Sequence, residues 1–392
     1  MPDSVPSVDL AQDWRHGGFG LYVHWPFCQS KCPYCDFNSH VVSAVDQSAW
    51  AAAFEREIAR LGRETGPRVL GSVFFGGGTP SLMEPEVVDR VLRAARTAWQ
   101  PANDIEVTLE ANPTSIEAGR FVAYRDAGVN RVSMGMQAMN DADLRALGRM
   151  HTAQEAMTAY DIARSVFDRV SFDLIYARQA QTLAGWRAEL DRALALDLDH
   201  LSLYQLTIEE GTVFGARHAA GLLRNLPDED LAADLWDLTQ ERTAAAGLPS
   251  YEISNHARPG SESRHNMLYW RGGDYAGVGP GAHGRLTLDG RRIATEAVRA
   301  PGAWLAAERD GTAETRETLE VDDRLQELLL MGLRVREGVL RDRIDLFGGA
   351  RLEAGLERMI ASGHLELSDG FLRATDAGRP LLNAVLRDVF AG

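Results

Sequence analysis

All three cysteines of the chain fall within eight consecutive positions, in Phe27-Cys28-Gln29-Ser30-Lys31-Cys32-Pro33-Tyr34-Cys35. Three residues separate Cys28 from Cys32, and two separate Cys32 from Cys35. The odd count argues against a disulfide framework, and one pair could not staple 392 residues. Confinement to one short segment argues against three unrelated buried thiols. Zinc could take the three thiolates with His24 or His40 as fourth ligand, but zinc knuckles usually pair cysteines two residues apart at two separated places. No second pair exists here. Three thiolates on one loop can instead hold three corners of a cubane cluster. Such clusters ordinarily take four cysteines, so a set of three leaves one iron open to another ligand.

The remainder is large enough to bury a core around such a loop without staples. At 392 residues it exceeds one ordinary domain. Hydrophobic residues at 45% and charged residues at 25% are normal for a globular protein. Net charge is −15, from 41 Lys plus Arg against 56 Asp plus Glu, which disfavours nonspecific nucleic-acid or anionic-membrane binding. The first residues lack the basic and apolar regions of a secretory signal. No run reaches the ~18 apolar residues of a membrane span, so neither stable membrane insertion nor nucleic acid is expected. A cytoplasmic location follows, and it keeps thiolates reduced.

Hydrophobic periodicity predicts a polar arm over 1–18 and then six strand–helix units over 19–250. The strands are Gly20 to His24, Val69 to Phe75, Asp104 to Glu110, Arg131 to Met136, Val170 to Tyr176 and Leu201 to Leu206. Helices are expected at Gln47 to Gly62, Val88 to Trp99, Ile116 to Ala127, around Leu144 and Met157, at Leu183 to Leu196 and at Asp228 to Ala246. Repeated strand–helix units imply an α/β fold with a parallel sheet. Six units fall short of a closed eight-stranded barrel, so a partial (β/α)6 TIM-type barrel with an open side is expected. A doubly wound sheet is the alternative. Residues 251–322 read as a barrel-closing and connecting region, with 296–322 as connector. Residues 323–392 read as helix, helix, hairpin around Asp369-Gly370, helix: a small winged-helix-like α+β domain. It has no basic concentration, so it reads as a lid or interaction module.

The cysteine spacing resembles that of the radical S-adenosylmethionine (SAM) superfamily, in which SAM chelates the open iron through its amino and carboxylate groups. Against that background the strand ends carry meaning. Gly76-Gly77-Gly78-Thr79-Pro80 follows the second strand, where backbone without Cβ can approach a ligand; alone it would read as a tight turn. Glu110 ends the third strand and could accept from an ammonium or a ribose diol. Gln137 ends the fourth. Arg149 could pair with a carboxylate, though alone it would be a surface arginine. Asp173 lies in an apolar strand and needs a partner. Thr207 follows the sixth.

Taken together, Tyr22-x-His24-x-Pro26-Phe27-Cys28-x3-Cys32-x2-Cys35, Gly-Gly-Gly-Thr-Pro, Glu110-Ala-Asn-Pro, Gln137 and Phe172-Asp-Leu-Ile-Tyr176 resemble the oxygen-independent coproporphyrinogen III dehydrogenase family over essentially the whole chain. The resemblance implies a [4Fe-4S] cluster on Cys28, Cys32 and Cys35. It implies that Tyr22, Gly77 and Glu110 contact the cluster-bound SAM. Tyr34, Gly78, Thr79, Gln137, Arg149, Asp173 and Thr207 match positions that line a second SAM in the dehydrogenase. The family has an enzyme branch, which decarboxylates porphyrinogen propionates, and a heme chaperone branch. The enzyme pattern carries a further cysteine where this chain has Phe37, and a longer segment before the cysteines. His265-Asn266-Met-Leu-Tyr269-Trp270 matches a motif of the chaperone branch. That branch implies heme as cofactor and cargo, with heme-acceptor proteins as partners, respiratory-chain proteins among them. His265 is then the candidate heme ligand, since imidazole is a common axial donor, with His283 and His256 as alternatives. A structural histidine closing the barrel's open side is the other reading of His265.

Overall fold

A computed structural model of the chain describes residues 9–114 and 118–391. Eight strands come first: β1 (Phe19–Trp25), β2 (Phe27–Cys28), β3 (His40–Val41), β4 (Val69–Gly77), β5 (Gln100–Ala111), β6 (Arg131–Gln137), β7 (Arg169–Tyr176) and β8 (His200–Gln205). Excluding the two short strands of the cysteine segment, these are the six expected from periodicity. They pair parallel in the order β1-β4-β5-β6-β7-β8. Spatial order follows chain order without reversal. A doubly wound sheet reverses part-way, so that alternative is overturned. Successive helices also pack on one another: Gln47–Thr65 on Pro85–Ala98, that helix on Phe121–Ala127, and that on Ala153–Val166. The start expected for the third helix, Ile116, lies outside the described residues.

The strands are apolar on the face that helices cover, while the other face carries buried polar side chains such as Ser72, Thr108, Arg131 and Ser171. β1 reads Phe19, Leu21, Val23 and Trp25 on one side, all at most 1% exposed. That side joins Trp50, Phe54 and Ile58 of the first long helix in the main core.

After residue 250 the structure holds more sheet than expected. β9 (Asn255–Ala257) caps β8 antiparallel. β10 (Asp274–Val278) lies parallel to β1 on its free side, a seventh parallel strand. β11 (His283–Leu288), β12 (Arg291–Ala297) and β13 (Glu314–Thr318) then add antiparallel. The result is one eleven-stranded sheet, β13-β12-β11-β10-β1-β4-β5-β6-β7-β8-β9, whose end strands do not pair with each other. The connector expected over 296–322 is therefore corrected: it contains the end of β12, the helix Pro301–Ala307 and edge strand β13. Its few apolar residues hid this, because one of them does most of the anchoring. Trp304 is 1% exposed and stacks on Trp50 at 5.5 Å between ring centres. β10 is pinned by Asp274, fully buried, which accepts from Arg68 Nη1 at 2.8 Å and Thr287 N at 2.6 Å and pairs with Arg292.

The C-terminal segment has its own apolar core, including Leu325, Leu329, Ile344, Leu356 and Val389. The helices Val321–Gly332, Arg341–Leu346, Glu353–Ala361 and Leu382–Phe390 surround a three-stranded sheet of β14 (Val339–Leu340), β15 (Leu365–Ser368) and β16 (Phe371–Ala374). Helix, strand, helix, helix, two-stranded wing is winged-helix architecture. Asp369 and Gly370 turn the wing with φ of 53° and 79°, both positive as a tight type I′ hairpin requires. β14 and the helix after it were not expected, being too short for periodicity to register. The N-terminal arm is also not free along its length. Residues 1–8 lie outside the described residues, but Leu10 packs against the C-terminal core and Asp13 receives Arg343 at 2.7 and 2.9 Å.

Candidate cluster and cofactor site at the strand ends

The cysteine segment crosses the C-terminal ends of the parallel strands, where parallel sheets place their sites. Its path is fixed from several sides. Gly78 N donates to Trp25 O at 2.7 Å and Thr79 N to Phe27 O at 2.9 Å. Phe214 N donates to Pro33 O at 2.8 Å. Asn38 Nδ2 donates to the carbonyls of Pro280 and Arg299, both at 2.9 Å. The glycine triplet is explained by this packing. A Cβ on Gly78 would stand 2.8 Å from Phe27 O, and one on Gly77, whose φ is +109°, would stand 2.6 Å from the His24 ring.

Two of the thiols have side-chain donors. Thr79 Oγ1 donates to Cys28 Sγ at 3.4 Å and Arg149 Nη1 to Cys32 Sγ at 3.3 Å. Asn112 joins the two donors. Its Nδ2 donates to Thr79 Oγ1 at 3.2 Å, and its Oδ1 accepts from Arg149 Nη2 at 2.7 Å. In the sequence Asn112 is only the third residue of Glu-Ala-Asn-Pro, with nothing to mark its role. Its function is visible only once β5 lies beside β4 and β6. Burial pushes the Cys28 and Cys35 thiols up from their ordinary range, while the Thr79 hydroxyl opposes the shift at Cys28. Burial works against the Arg149 charge, but Tyr34 and Cys32 raise its pKa above the ordinary value. Its Nε is buried without a hydrogen-bond partner.

This donor set fits an iron–sulfur cubane. Hydrogen bonds to ligand sulfurs and limited exposure are the features by which proteins hold and tune such clusters. Among the described residues no three His, Cys, Asp or Glu side chains converge on a point that could hold one metal ion. A cubane does not require convergence, since each thiolate takes a different iron. Cys28, Cys32 and Cys35 would hold the cluster. When bound, a [4Fe-4S] cluster with SAM on its open iron supplies one-electron cleavage of the sulfonium bond.

The other predicted residues sort by depth. Glu110 lies at the end of β5 and Tyr22 midway along β1. Tyr22 Oη bonds His24 Nδ1 at 2.9 Å, and the other ring nitrogen of His24 bonds Asn38 O at 2.9 Å. Burial, then the Asp173 charge, push Glu110 up to about 8, although Gly77 N and Arg131 oppose this. Burial likewise pushes Asp173 up to about 6, against hydrogen bonds from Ser202 and Ser133 and the Arg131 charge. Two carboxyls at one mouth, one neutral near pH 7, suit a site awaiting a cation. Gln137 ends β6 at φ 69°, a left-handed conformation that costs a non-glycine residue on the order of 1 kcal/mol and is often kept at functional sites. Tyr34 packs against Phe214 at 6.4 Å. Thr207 is exposed after β8, at the rim rather than inside the mouth.

His265 lies deeper in the barrel, its ring stacked beside that of Tyr22 at 6.4 Å. It sits on the helix Arg264–Trp270, is 1% exposed, and has both ring nitrogens engaged: Nδ1 with Ser72 Oγ at 2.8 Å and Nε2 with Tyr269 Oη at 2.6 Å. Its ring stacks on Phe74 at 5.1 Å. Burial, assisted by Arg131, pushes it down to about 3, so it is neutral. In this conformation no nitrogen lone pair is free for iron. The residue closes the barrel interior by hydrogen bonding. His283 is exposed at the start of β11, and His256 is buried at 1%. Arg131 opens β6, and nothing in the sequence marks it. It is 3% exposed inside the sheet and donates to Thr108 and Ser171, and only the tertiary fold shows that it faces Glu110 and Asp173.

Comparison with known proteins bears directly on this site. The Radical SAM superfamily model matches residues 22–185, and the HemN C-terminal domain model matches residues 319–381. The heme chaperone HemW of Escherichia coli is 36% identical over 377 residues, covering 93% of this chain and 96% of that protein. This chain belongs to the HemW family. A Bacillus subtilis HemW is 31% identical, covering 93% of this chain and 97% of its own. The mouse mitochondrial radical S-adenosyl methionine domain-containing protein 1 is 40% identical, covering 93% of this chain and 86% of its own. The radical SAM fold of the HemW family thus accounts for the sheet seen here. So does a solved structure of the coproporphyrinogen III oxidase HemN of Escherichia coli, which superposes with a TM-score of 0.79 at 22% identity over 97% of this chain and 92% of its own. That likeness shows the fold. Family membership implies the [4Fe-4S] cluster and SAM for the loop described above.

Proposed function

We propose that this protein is a heme chaperone, taking up heme and passing it to acceptor proteins while carrying a [4Fe-4S] cluster and SAM at the strand ends. The reading rests on similarity along nearly the whole length to proteins named heme chaperone HemW in several bacteria. Phe37 supports it: the position of the enzyme branch's additional cysteine holds an apolar ring here, 58% exposed. Cys28, Cys32 and Cys35 are the cluster ligands in this reading, with Arg149, Asn112 and Thr79 as their donors. Tyr22, Gly77 and Glu110 receive the cluster-bound SAM, and Glu110 supplies the acceptor for its ammonium. Tyr34, Gly78, Gln137, Asp173 and Thr207 extend that pocket toward the rim. Respiratory-chain proteins are the acceptors, and the cytoplasm is the compartment. No helix among the described residues is long and apolar enough to cross a membrane. The working units are 19–250 with 251–322 as its closing region, and 323–392 as an interaction module.

The second reading, coproporphyrinogen III dehydrogenase, is favoured by the fold match to HemN. One assay separates the two. Anaerobically reconstituted protein receives coproporphyrinogen III, SAM and a reductant. The chaperone reading predicts no protoporphyrinogen, and its formation would overturn that reading.

A further inference from the structure

A large cavity lies at the opposite end of the sheet from the cysteines. It measures about 1090 Å³, at the upper end of the roughly 300–1,000 Å³ usual for small-ligand clefts. Its floor is the N-terminal ends of β1, β4 and β5. One wall is the helix Arg264–Trp270 and another is Val335 to Glu337, the turn after the first helix of the C-terminal module.

The helix explains how a single motif serves two places. Residues three and four apart share a helix face. His265 and Tyr269 face the barrel interior, bonded to each other. Arg264, Met267, Leu268 and Arg271 line the cavity.

The lining has a distinct chemistry. Trp14, Phe19, Val69, Met267 and Leu268 give it apolar walls, and Val69 is 61% exposed. Five arginines reach it: Arg15, Arg68, Arg264, Arg271 and Arg336. Only three carboxylates do, Asp104, Glu262 and Glu337. Most of that charge is matched: Arg68 pairs with Asp274 and Arg336 with Asp376, two acids outside the lining. Arg264 pairs with Asp104 and Arg271 with Glu337, while Arg15 has no carboxylate within ion-pair distance among the described residues. At the strand-end mouth Glu110 and Asp173 stand with Arg131 and Arg149.

We propose that heme binds in this floor cavity, its macrocycle against Trp14, Met267 and Leu268 and its two carboxylates on the arginines, Arg15 foremost. The inference rests on the heme-chaperone reading and names the site that reading leaves open. It also separates cargo from cofactor. From Gly71 to Gly77 along β4 is six residues, about 20 Å at about 3.3 Å per residue.

The test is an anaerobic heme titration of the full, cluster-loaded chain, followed at the Soret band, for wild type, Gly71→Trp and Arg15→Glu. Gly71 lines the cavity at the irregular start of β4, and a Cβ there meets nothing nearer than Phe19 O at 3.5 Å. The indole therefore has room to fill the cavity. Arg15 is exposed, so its reversal does not threaten folding. The expected results are at least tenfold weaker heme binding for Gly71→Trp and several-fold weaker for Arg15→Glu, with cluster absorbance and SAM binding unchanged. Wild-type affinity in both variants would overturn the site while leaving the chaperone reading standing. No heme uptake by wild type would overturn the reading and the site together.

Discussion

Glu110 holds a proton near neutral pH because burial and Asp173 disfavour its charge. A carboxyl whose folded pKa stands above its unfolded value binds more protons when folded, so its contribution to stability is greatest below the unfolded value and falls as pH rises. For Glu110 that window runs from the ordinary 4.5 to about 8. In cluster-free protein Glu110→Gln should therefore melt higher than wild type at pH 8, by about 1–3 kcal/mol, with the gap closing toward pH 4.5. Thermal melts across that range check it; a pH-independent gap would contradict the assignment. SAM's ammonium should reverse the shift. Titration calorimetry in buffers of different ionisation heat should then report release of up to about one proton per SAM bound near pH 7. Arg149→Ala removes the donor to Cys32 and the partner of Asn112, and should lower iron and sulfide retained after reconstitution several-fold. Much at this scale was legible. The cysteine spacing, the glycine triplet and Glu110 stand in the sequence as patterns. Asn112 and Arg131 do not, because their roles arise from neighbours 33 and 40 residues away.

Among the elements, the link between β4 and the cysteine segment is the tightest. Gly78→Ala places a methyl 2.8 Å from Phe27 O, and backbone rather than a flexible side chain must yield. The expected cost is on the order of 1–3 kcal/mol, with reduced cluster occupancy. Melting and metal analysis of the reconstituted variant test this, and a fully loaded, equally stable protein would contradict it. The six parallel strands were legible because apolar residues recur at strand spacing, continuous in Val73-Phe74-Phe75 and alternating in Ile105-Glu106-Val107-Thr108-Leu109. β10 to β13 were not, for a definite reason. Their cohesion comes from Asp274, Arg68 and Arg292 and from the single Trp304, and hydrophobic periodicity does not register a buried ion cluster. The Asp289-Gly290 turn between β11 and β12, with φ of 48° and 75°, was the signal available to find that hairpin.

For the molecule as a whole, the question is how the C-terminal module is held to the barrel. Asp13 and Arg343, about 6% and 5% exposed, form a buried pair between the N-terminal arm and the helix Arg341–Leu346. Arg343→Met leaves Asp13 buried and uncompensated, which typically costs about 3–5 kcal/mol. The double variant Asp13→Leu with Arg343→Met should recover most of that loss in denaturant melts, whereas equal loss in both would contradict a pairwise role. The same pair stands beside the floor cavity, since Arg343 Nη1 also donates to Arg271 O at 3.0 Å. Cofactors at one end of the sheet and cargo at the other is the arrangement the molecule supports. Sequence patterns could not reveal it, because the cavity is built from five separated segments. The most direct measurement is a heme titration of the anaerobically reconstituted wild-type chain with iron and sulfide quantified. A cubane spectrum together with saturable uptake near one heme per chain is the predicted result; a cluster-loaded protein that takes up no heme would contradict the account.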